Sequence, residues 1–224
     1  MLEVILDTET TGLSITQKHR IVEIGCIELK NQIPTNKIFH EHLNPQRSIS
    51  EEAYKIHGYS DEFLSDKKTF AEIAESFLDF IKDKKIIIHN AAFDLSFLNY
   101  EFGLINKKKI NNNNVIDTLT IAQQKYPGSS NSLDALCKRF NIDNSKREKH
   151  NALIDCQLLK EIYINLIDQK EPTLDFITQN EFEAINKKDF KFTIYSKKII
   201  QPTSEEMQLH KSFLKKELKK NLFN

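Results

Sequence analysis

The chain has 224 residues, which is enough for one well-buried domain and an appendage. Lys plus Arg and Asp plus Glu both total 32, so the formal net charge is zero. This balance argues against a general nucleic-acid coat protein, which would carry a basic excess. It does not exclude an enzyme of nucleic acids, because bound metal ions can supply positive charge locally.

Cysteine usage and the N-terminus predict a soluble cytoplasmic protein. The three cysteines, Cys26, Cys137 and Cys156, are widely spaced and form no CxxC pair, which argues against a disulfide framework or a zinc site. The first residues, MLEVILDTET, lack the basic leader and the long apolar core of a signal peptide. No apolar run approaches the roughly 20 residues that cross a bilayer, so we expect no membrane association.

The first part of the chain predicts strands without intervening helices. Apolar runs indicate strands at Leu2 to Leu6, Arg20 to Leu29 and Lys37 to Leu43. Turn chemistry lies at Thr11-Gly12 and around Pro34 and Pro45. Because no helix separates the three strands, we expect them to pair antiparallel.

Helices and short strands follow. Gly58 stops the first predicted helix, Thr69 and Glu72 open the second as a capping box, and Gly103 closes the third. The predicted helices are Glu51 to His57, Phe70 to Lys82, Ala92 to Phe102, Thr118 to Lys125, Leu133 to Phe140 and Ala152 to Ile167. The predicted strands are Lys85 to Ile88 and Val115 to Ile116. The asparagine run 111–114 is interpreted as a solvated loop.

The sequence changes character after about Asp168, where periodicity weakens. We predict a main domain over residues 1–168 and a C-terminal tail over residues 169–224, disordered in part. A last amphipathic helix, Glu205 to Leu218, follows a second capping box formed by Thr203 and Glu206.

Four carboxylates follow or interrupt apolar segments. Asp7 and Glu9, in DTETTG, are two apart and share one side of a strand that ends there. Asp94, in HNAAFD, lies just inside a helix N-terminus, where the macrodipole alone would favour it. Asp155, in HNALID, lies in an otherwise apolar helix, where an unpaired buried carboxylate would be costly unless its face is exposed.

Together these carboxylates carry about four negative charges at neutral pH, which matches two divalent cations such as Mg²⁺ or Mn²⁺. Two such ions are the usual machinery for cutting a phosphodiester by in-line displacement. His150 lies five residues before Asp155 and is expected on the loop that enters the helix. A neutral imidazole there suits a general base, although a surface histidine is the commoner fate.

The motifs DTETTG, HNAAFD and HNALID together resemble the DEDDh exonucleases of the ribonuclease-H-like fold. Similar stretches, AYKIHGYSDEFL and NSLDALCKRFNIDNSKREK among them, extend the likeness over most of residues 1–165. The resemblance implies an α/β fold: a mixed five-stranded sheet, three antiparallel strands then parallel strands, flanked by helices. It also implies removal of mispaired 3′-terminal nucleotides from single-stranded or frayed DNA, with metal held by Asp7, Glu9, Asp94 and Asp155 and with His150 as base.

The resemblance further implies contacts with the terminal nucleotide. Thr10, Thr11 and Gly12 match the turn that uses backbone groups for this purpose. His57 is similar to a substrate-side histidine, and a dipole role at the helix C-terminus is equally open. Phe93 is placed to abut the terminal base, with core packing as the alternative.

Proofreading members of the family use their C-terminal part to bind the polymerase alpha subunit, and some carry a clamp-binding peptide. The helix Glu205 to Leu218 is the candidate for the alpha subunit, unless it folds back onto its own domain. EPTLDF, from Glu171 to Phe176, is the candidate for the sliding clamp, although Glu171 stands where a glutamine is usual. An RNA-trimming exonuclease and a non-catalytic adaptor are the alternative functions. The complete set of five residues argues against the adaptor, and the long tail argues against RNA trimming.

Overall fold

The computed structural model describes residues 1–145, 147, 149–167 and 202–217. The chain divides into two units, Met1–Leu174 and Asp175–Asn224. Three predictions lie outside the described residues: the domain limit at 168/169, the disorder of the segment after it, and the clamp peptide Glu171 to Phe176.

The first unit is built on a mixed five-stranded sheet of order β3-β2-β1-β4-β5. The strands are β1 (Leu2–Thr10), β2 (Ile21–Lys30), β3 (Ile33–His42), β4 (Lys85–Ile88) and β5 (Val115–Asp117). β1 pairs antiparallel with β2, and β2 with β3. β4 lies parallel to β1 and β5 parallel to β4. The predicted α/β class and the predicted antiparallel and parallel pairings are confirmed.

Helices cover both faces of the sheet. In chain order they are α1 (Glu51–His57), α2 (Asp61–Ser65), α3 (Phe70–Ile81), α4 (Ala91–Leu104), α5 (Thr118–Lys125), α6 (Leu133–Phe140) and α7 (Ala152–Leu166), with α8 (Ser204–Glu217) in the second unit. Both predicted capping boxes are present, at Thr69 with Glu72 and at Thr203 with Glu206. Among the described helices, none combines the length and the apolar character that crossing a bilayer requires.

The structure corrects two sequence predictions at element ends and adds one helix. Pro34 lies inside β3 rather than in a turn, which an edge strand tolerates. The turn before it is made by Asn31 and Gln32, with φ of 52° and 65°. Gly103 lies within α4, which continues to Leu104. Helix α2 was not predicted, because its five residues are too few for a periodic signal.

The central strand β1 is buried from both sides. Val4 and Leu6 face a cluster that includes phenylalanines of α3 and α4, such as Phe77 and Phe97. Ile5 faces the opposite way and packs beneath α7 against residues such as Leu159. This packing fixes α4 and α7 on the two sides of β1. It therefore also fixes the positions of the side chains in the first turns of α4 and α7, near the C-terminal end of β1.

Candidate active site

Strand β1 supplies two acids to one side of the sheet. Asp7 and Glu9 alternate with Thr8, so their side chains share a direction. The sequence predicted that the strand ends at these residues, and this is wrong: β1 continues to Thr10, pairing Asp7 with Gly25 and Glu9 with Glu23 of β2. The pairing slips only between Glu9 and Thr10, where the strand leaves the ladder.

Helices α4 and α7 each add one acid from the first turn. Asp94 is 3% exposed, and its Oδ1 accepts a hydrogen bond of 2.7 Å from the Thr8 hydroxyl. Asp155 is 4% exposed, so the exposed-face explanation for this residue is wrong. The N-cap of α7 is Asn151, whose side-chain oxygen accepts from the Ile154 N–H and fixes the start of the helix.

His150 lies on the loop that enters α7, as predicted, with its side chain 46% exposed. Its backbone N–H donates to the carbonyl of Ile56 in α1, which ties the loop to the other wall of the site. Its Nδ1 lies 3.6 Å from Oδ2 of Asp155. Glu9, His150 and Asp155 each have one potential ligand atom, a carboxylate oxygen or a ring nitrogen, within 4.8 Å of the other two. These three atoms are close enough to share a cation.

Arg147 fills the space between these groups, and the sequence predictions missed it. Its Nε and Nη2 donate to the two oxygens of Asp155, at 2.5 and 2.7 Å. Its Nη2 also donates to Nδ1 of His150 at 2.9 Å, and its Nη1 reaches Asp134 at 2.9 and 3.0 Å. Arg147 belongs to the charged run before His150, but nothing in that run marks which basic residue turns inward.

A cavity of about 770 Å³ joins these residues, since all five predicted catalytic and metal residues line it. Of the predicted substrate residues, Thr10, Gly12, His57 and Phe93 line it as well. The backbone N–H and carbonyl of Thr11 are paired within the protein, with Arg20 and Ser50. Thr10 and Gly12 are therefore the members of that turn that face the cavity.

The remaining predicted contacts have internal neighbours too. A side chain on Gly12 would collide with the His19 ring, so the absence of a Cβ here serves a close approach within the protein. The His57 ring stacks on Tyr59 and accepts from the Tyr59 N–H, and it also ends α1. The Phe93 ring packs on Phe97 with centroids 4.9 Å apart.

Burial and mutual repulsion shape the acidity of the carboxylates. Burial, together with the neighbouring Asp155 and Glu23 charges, raises the pKa of Glu9 to about 8. Burial raises the pKa of Asp94 to about 7, against the Thr8 hydrogen bond, which lowers it. The pKa of Asp7 is raised well above its ordinary value by burial and by Asp94. A cation in the cavity would reverse these shifts, because it favours the charged form.

The pKa of His150 moves the other way. Burial and the adjacent Arg147 guanidinium lower it, so the ring is neutral at pH 7. The site therefore combines buried carboxylates that need a cation with a neutral imidazole at the rim.

Known proteins resemble this chain over most of its length. The family model described as "Exonuclease" matches residues 4–163. A protein named DNA polymerase III subunit epsilon from Rickettsia conorii is 47% identical over 226 residues, covering 97% of this chain and 96% of the relative. The protein of the same name from Escherichia coli K12 is 48% identical over 170 residues, covering 72% and 70%.

Solved structures share the fold. The nuclease domain of 3′hExo, described as a DEDDh family member bound to rAMP, superposes with a TM-score of 0.66 at 18% identity, over 75% of this chain and 92% of that one. Exonuclease X in complex with 5′ overhanging duplex DNA gives a TM-score of 0.57 at 24% identity, with the same coverage.

Proposed function

The chain belongs to the exonuclease family, among the DNA polymerase III epsilon subunits, and we propose that it removes mispaired 3′-terminal nucleotides from DNA as the proofreading subunit of the replicative polymerase. It is a 3′–5′ exonuclease. The observation that carries the proposal is the convergence of Asp7, Glu9, Asp94, Asp155 and His150 on one cavity.

Divalent metal is the cofactor of this site, and two ions of Mg²⁺ or Mn²⁺ are proposed. The donors fit, because all four acids offer hard oxygen ligands that Mg²⁺ and Mn²⁺ prefer. The Arg147 guanidinium already stands against both oxygens of Asp155, which marks a place for positive charge. Asp7, Glu9, Asp94 and Asp155 would hold the ions, which supply Lewis acidity to offset charge on the phosphodiester and to ease deprotonation of water.

The protein groups have separate tasks in the hydrolysis. His150 accepts the proton of the attacking water, for which its neutral ring and its exposed position suit it. Thr8 holds the Asp94 carboxylate in place through its hydroxyl. Thr10, Gly12, His57 and Phe93 are proposed to seat the terminal nucleotide, since each faces the same cavity. The Phe93 ring offers a face for stacking that tolerates any base.

The deciding experiment incubates the purified chain with Mg²⁺ and matched or 3′-mismatched primer-templates, with single-stranded RNA alongside. Trimming is expected to be faster on the mismatched DNA end than on the matched end, and slowest on RNA. Faster trimming of the RNA would replace the DNA function with an RNA-processing one. No trimming of any substrate would contradict an exonuclease.

His150 has its own test within this assay. His150→Ala should lower the single-turnover rate by about 10²–10⁴, the usual contribution of a general base. Binding of a 3′-mismatched primer should change little, because the ring acts on the water. If the variant cuts at the wild-type rate, His150 is not the base.

Helix α8 is proposed to bind the polymerase alpha subunit. Met207, Leu209 and Phe213 are 42%, 69% and 59% exposed, so the helix carries apolar side chains that a partner groove could bury. The relative from Rickettsia conorii aligns over 97% of this chain, so the likeness includes the tail. Leu209→Glu with Phe213→Glu should abolish capture by the alpha subunit and leave nuclease activity unchanged; undiminished capture would contradict this site.

The segment Glu171 to Phe176 is proposed as a contact for the sliding clamp, with Leu174 and Phe176 as its apolar anchors. Leu174→Ala with Phe176→Ala should weaken a pull-down by the clamp, and equal binding would end the idea.

The cytoplasm is the proposed compartment, because all three cysteines are free thiols and the proposed partners work on the chromosome.

A further inference from the structure

A second group of metal-ligating side chains lies outside the cavity lining, on β2 and β3. It consists of Glu23, His40 and His42, and we call it the β2–β3 histidine cluster. One ligand atom from each residue lies within 4.8 Å of the other two. The two histidines in His40-Glu41-His42 were not among the metal ligands predicted from the sequence.

Strand geometry brings the three side chains together. His40 and His42 are two apart on β3, so both rings project from the same face. Glu23 pairs with His42 across the ladder. The two imidazole centroids are 4.9 Å apart, and both Nε2 atoms approach Oε1 of Glu23, at 2.7 Å for His40 and 3.6 Å for His42.

Hydrogen bonding alone does not account for this convergence. Oε1 of Glu23 already accepts from Nδ2 of Asn151 and is within hydrogen-bond distance of His40 Nε2, which together use its two lone pairs. Nε2 of His42 lies 3.6 Å from the same oxygen, which is too far for a hydrogen bond. A cation placed between Oε1 of Glu23 and the Nε2 atoms of His40 and His42 would take all three as ligands.

The spacing suits a small ion with nitrogen ligands. Zinc binds imidazole nitrogen at about 2.0–2.1 Å and carboxylate oxygen at about 2.0–2.2 Å, so tetrahedral ligands stand about 3.3 Å apart. The observed separations of 2.7 and 3.6 Å lie on either side of that value. Two imidazoles with one carboxylate leave a fourth position for solvent, which the partial exposure of both rings, 29% and 23%, allows.

The carboxylate is already held in a ligand's orientation. Glu23 is fully buried, and its Oε2 accepts from the Tyr59 hydroxyl and from the Ala152 N–H, both at 2.9 Å. Such surrounding donors are what fix the carboxylate ligands of protein metal sites. They also connect the cluster to the first residues of α7, directly after His150.

We propose that Glu23, His40 and His42 form a binding site for a divalent transition ion of the zinc class, separate from the exonuclease carboxylates. Mg²⁺ is not its ion, because two of the three ligands are imidazoles. An ion bound there braces β3 and β2 against the start of α7 and raises the stability of the fold.

Co²⁺ serves as the probe, because a four-coordinate site with nitrogen ligands gives it intense visible absorption. The metal-stripped full chain is titrated in saturating Mg²⁺, which occupies the carboxylate cavity. The variant His40→Gln with His42→Phe removes the ligands while Gln keeps a donor to Glu23 and Phe keeps the ring packing on Tyr59 and Phe63. His210→Gln, on exposed α8, is the matched control.

About one equivalent of Co²⁺ should give the four-coordinate spectrum. The His40→Gln, His42→Phe variant should lose it, whereas His210→Gln and Asp155→Asn should keep it. Zn²⁺ should raise the melting temperature of the wild type and not of the double variant. A wild-type spectrum no stronger than that of the double variant would mean that Glu23, His40 and His42 contact one another without binding a metal ion. Loss of the spectrum in Asp155→Asn alone would place the cobalt in the exonuclease cavity, and either result overturns the proposal.

Discussion

Arg147 occupies two of the groups proposed for metal binding and catalysis, Asp155 and His150. Its guanidinium occupies both oxygens of Asp155 and donates to Nδ1 of His150. Because a guanidinium only donates, Nδ1 is the acceptor in this contact, and a neutral ring then keeps its proton on Nε2. The nitrogen that could take a proton from water is therefore covered. A cation that binds Asp155 would displace Arg147, and this would at the same time free Nδ1 of His150, the proposed base.

Replacing Arg147 should make the site bind metal more tightly. In Arg147→Gln we expect Mn²⁺ to bind about tenfold more tightly, since a competing charge-assisted hydrogen bond contributes about 1.5–3 kcal/mol. Isothermal titration calorimetry measures the affinity directly. Arg139→Gln is the control, because Arg139 contacts Asn131 and Tyr126 instead. Unchanged or weaker Mn²⁺ binding in Arg147→Gln would show that the guanidinium does not compete with the ion.

Asp7 lies at the centre of the acidic group, so its charge should oppose folding and support catalysis. In Asp7→Asn we expect nearly complete loss of primer trimming. We also expect a higher melting temperature in EDTA, because a buried carboxylate close to Asp94 and Glu9 is replaced by a neutral amide. Thermal melting with and without Mg²⁺ measures the second effect. The gain should disappear in Mg²⁺, and a lower melting temperature in EDTA would contradict the repulsion.

At the scale of elements, the approach of α7 to β2 sets where His150 and Asp155 lie. A Cβ on Gly25 would stand 2.6–2.7 Å from backbone atoms of Ala152 and Leu153, so the helix start could not keep its place. Gly25→Ala should therefore cost about 1–3 kcal/mol of unfolding free energy, as overpacking does, and lower primer trimming because Asp155 moves with the helix. Urea unfolding and the trimming assay measure the two effects.

The matched control is Gly103→Ala in α4, where an added Cβ meets no atom within 4 Å. That change should leave stability unchanged or raise it by up to about 0.5 kcal/mol, because alanine favours a helix more than glycine does and Gly103 lies in the last turn. If Gly25→Ala were as stable and as active as Gly103→Ala, close packing of α7 on β2 would not position the site.

The same elements show what sequence could and could not predict. Helices α5 and α6 and strand β4 were predicted with their observed bounds, because local capping and apolar period decide them. The spread of the acids over β1, α4 and α7 was also predictable, since each motif follows a recognisable element. The inward turn of Arg147 and the five contacts of Glu23 were not, because they depend on which surfaces meet. Glu23 did carry a signal: an acid in the apolar strand IVEIGCIEL must find partners when buried.

At the scale of the whole molecule, the buried acids couple folding to pH. Glu9 has its pKa raised from 4.5 to about 8 and Asp94 from 3.8 to about 7. In the absence of metal, the folded chain therefore keeps protons that the unfolded chain has released. Stability from these groups is fully present below their unfolded pKa values and is lost as pH rises through the folded ones.

The histidines limit the pH range in which the effect of the carboxylates on stability can be measured by itself. Burial lowers the pKa of His42, His57 and His89, so the folded chain binds fewer protons there than the unfolded chain. Their effect has the opposite sign and ends near their unfolded pKa of about 6.5. Between about pH 6.5 and 8, the raised carboxylates should dominate, and the free energy of unfolding in EDTA should fall as pH rises.

Urea unfolding in EDTA across that window measures the slope, and two comparisons assign it. Saturating Mg²⁺ should flatten the slope, because ions bound to the folded chain keep the carboxylates charged at lower pH. Glu9→Gln should also reduce it, because this variant removes one of the groups that titrate there. A stability in EDTA that stays level or rises from pH 6.5 to 8 would mean that these acids are not held protonated in the folded protein. The cavity would then lack the electrostatic demand for cations on which the proposed metal chemistry depends.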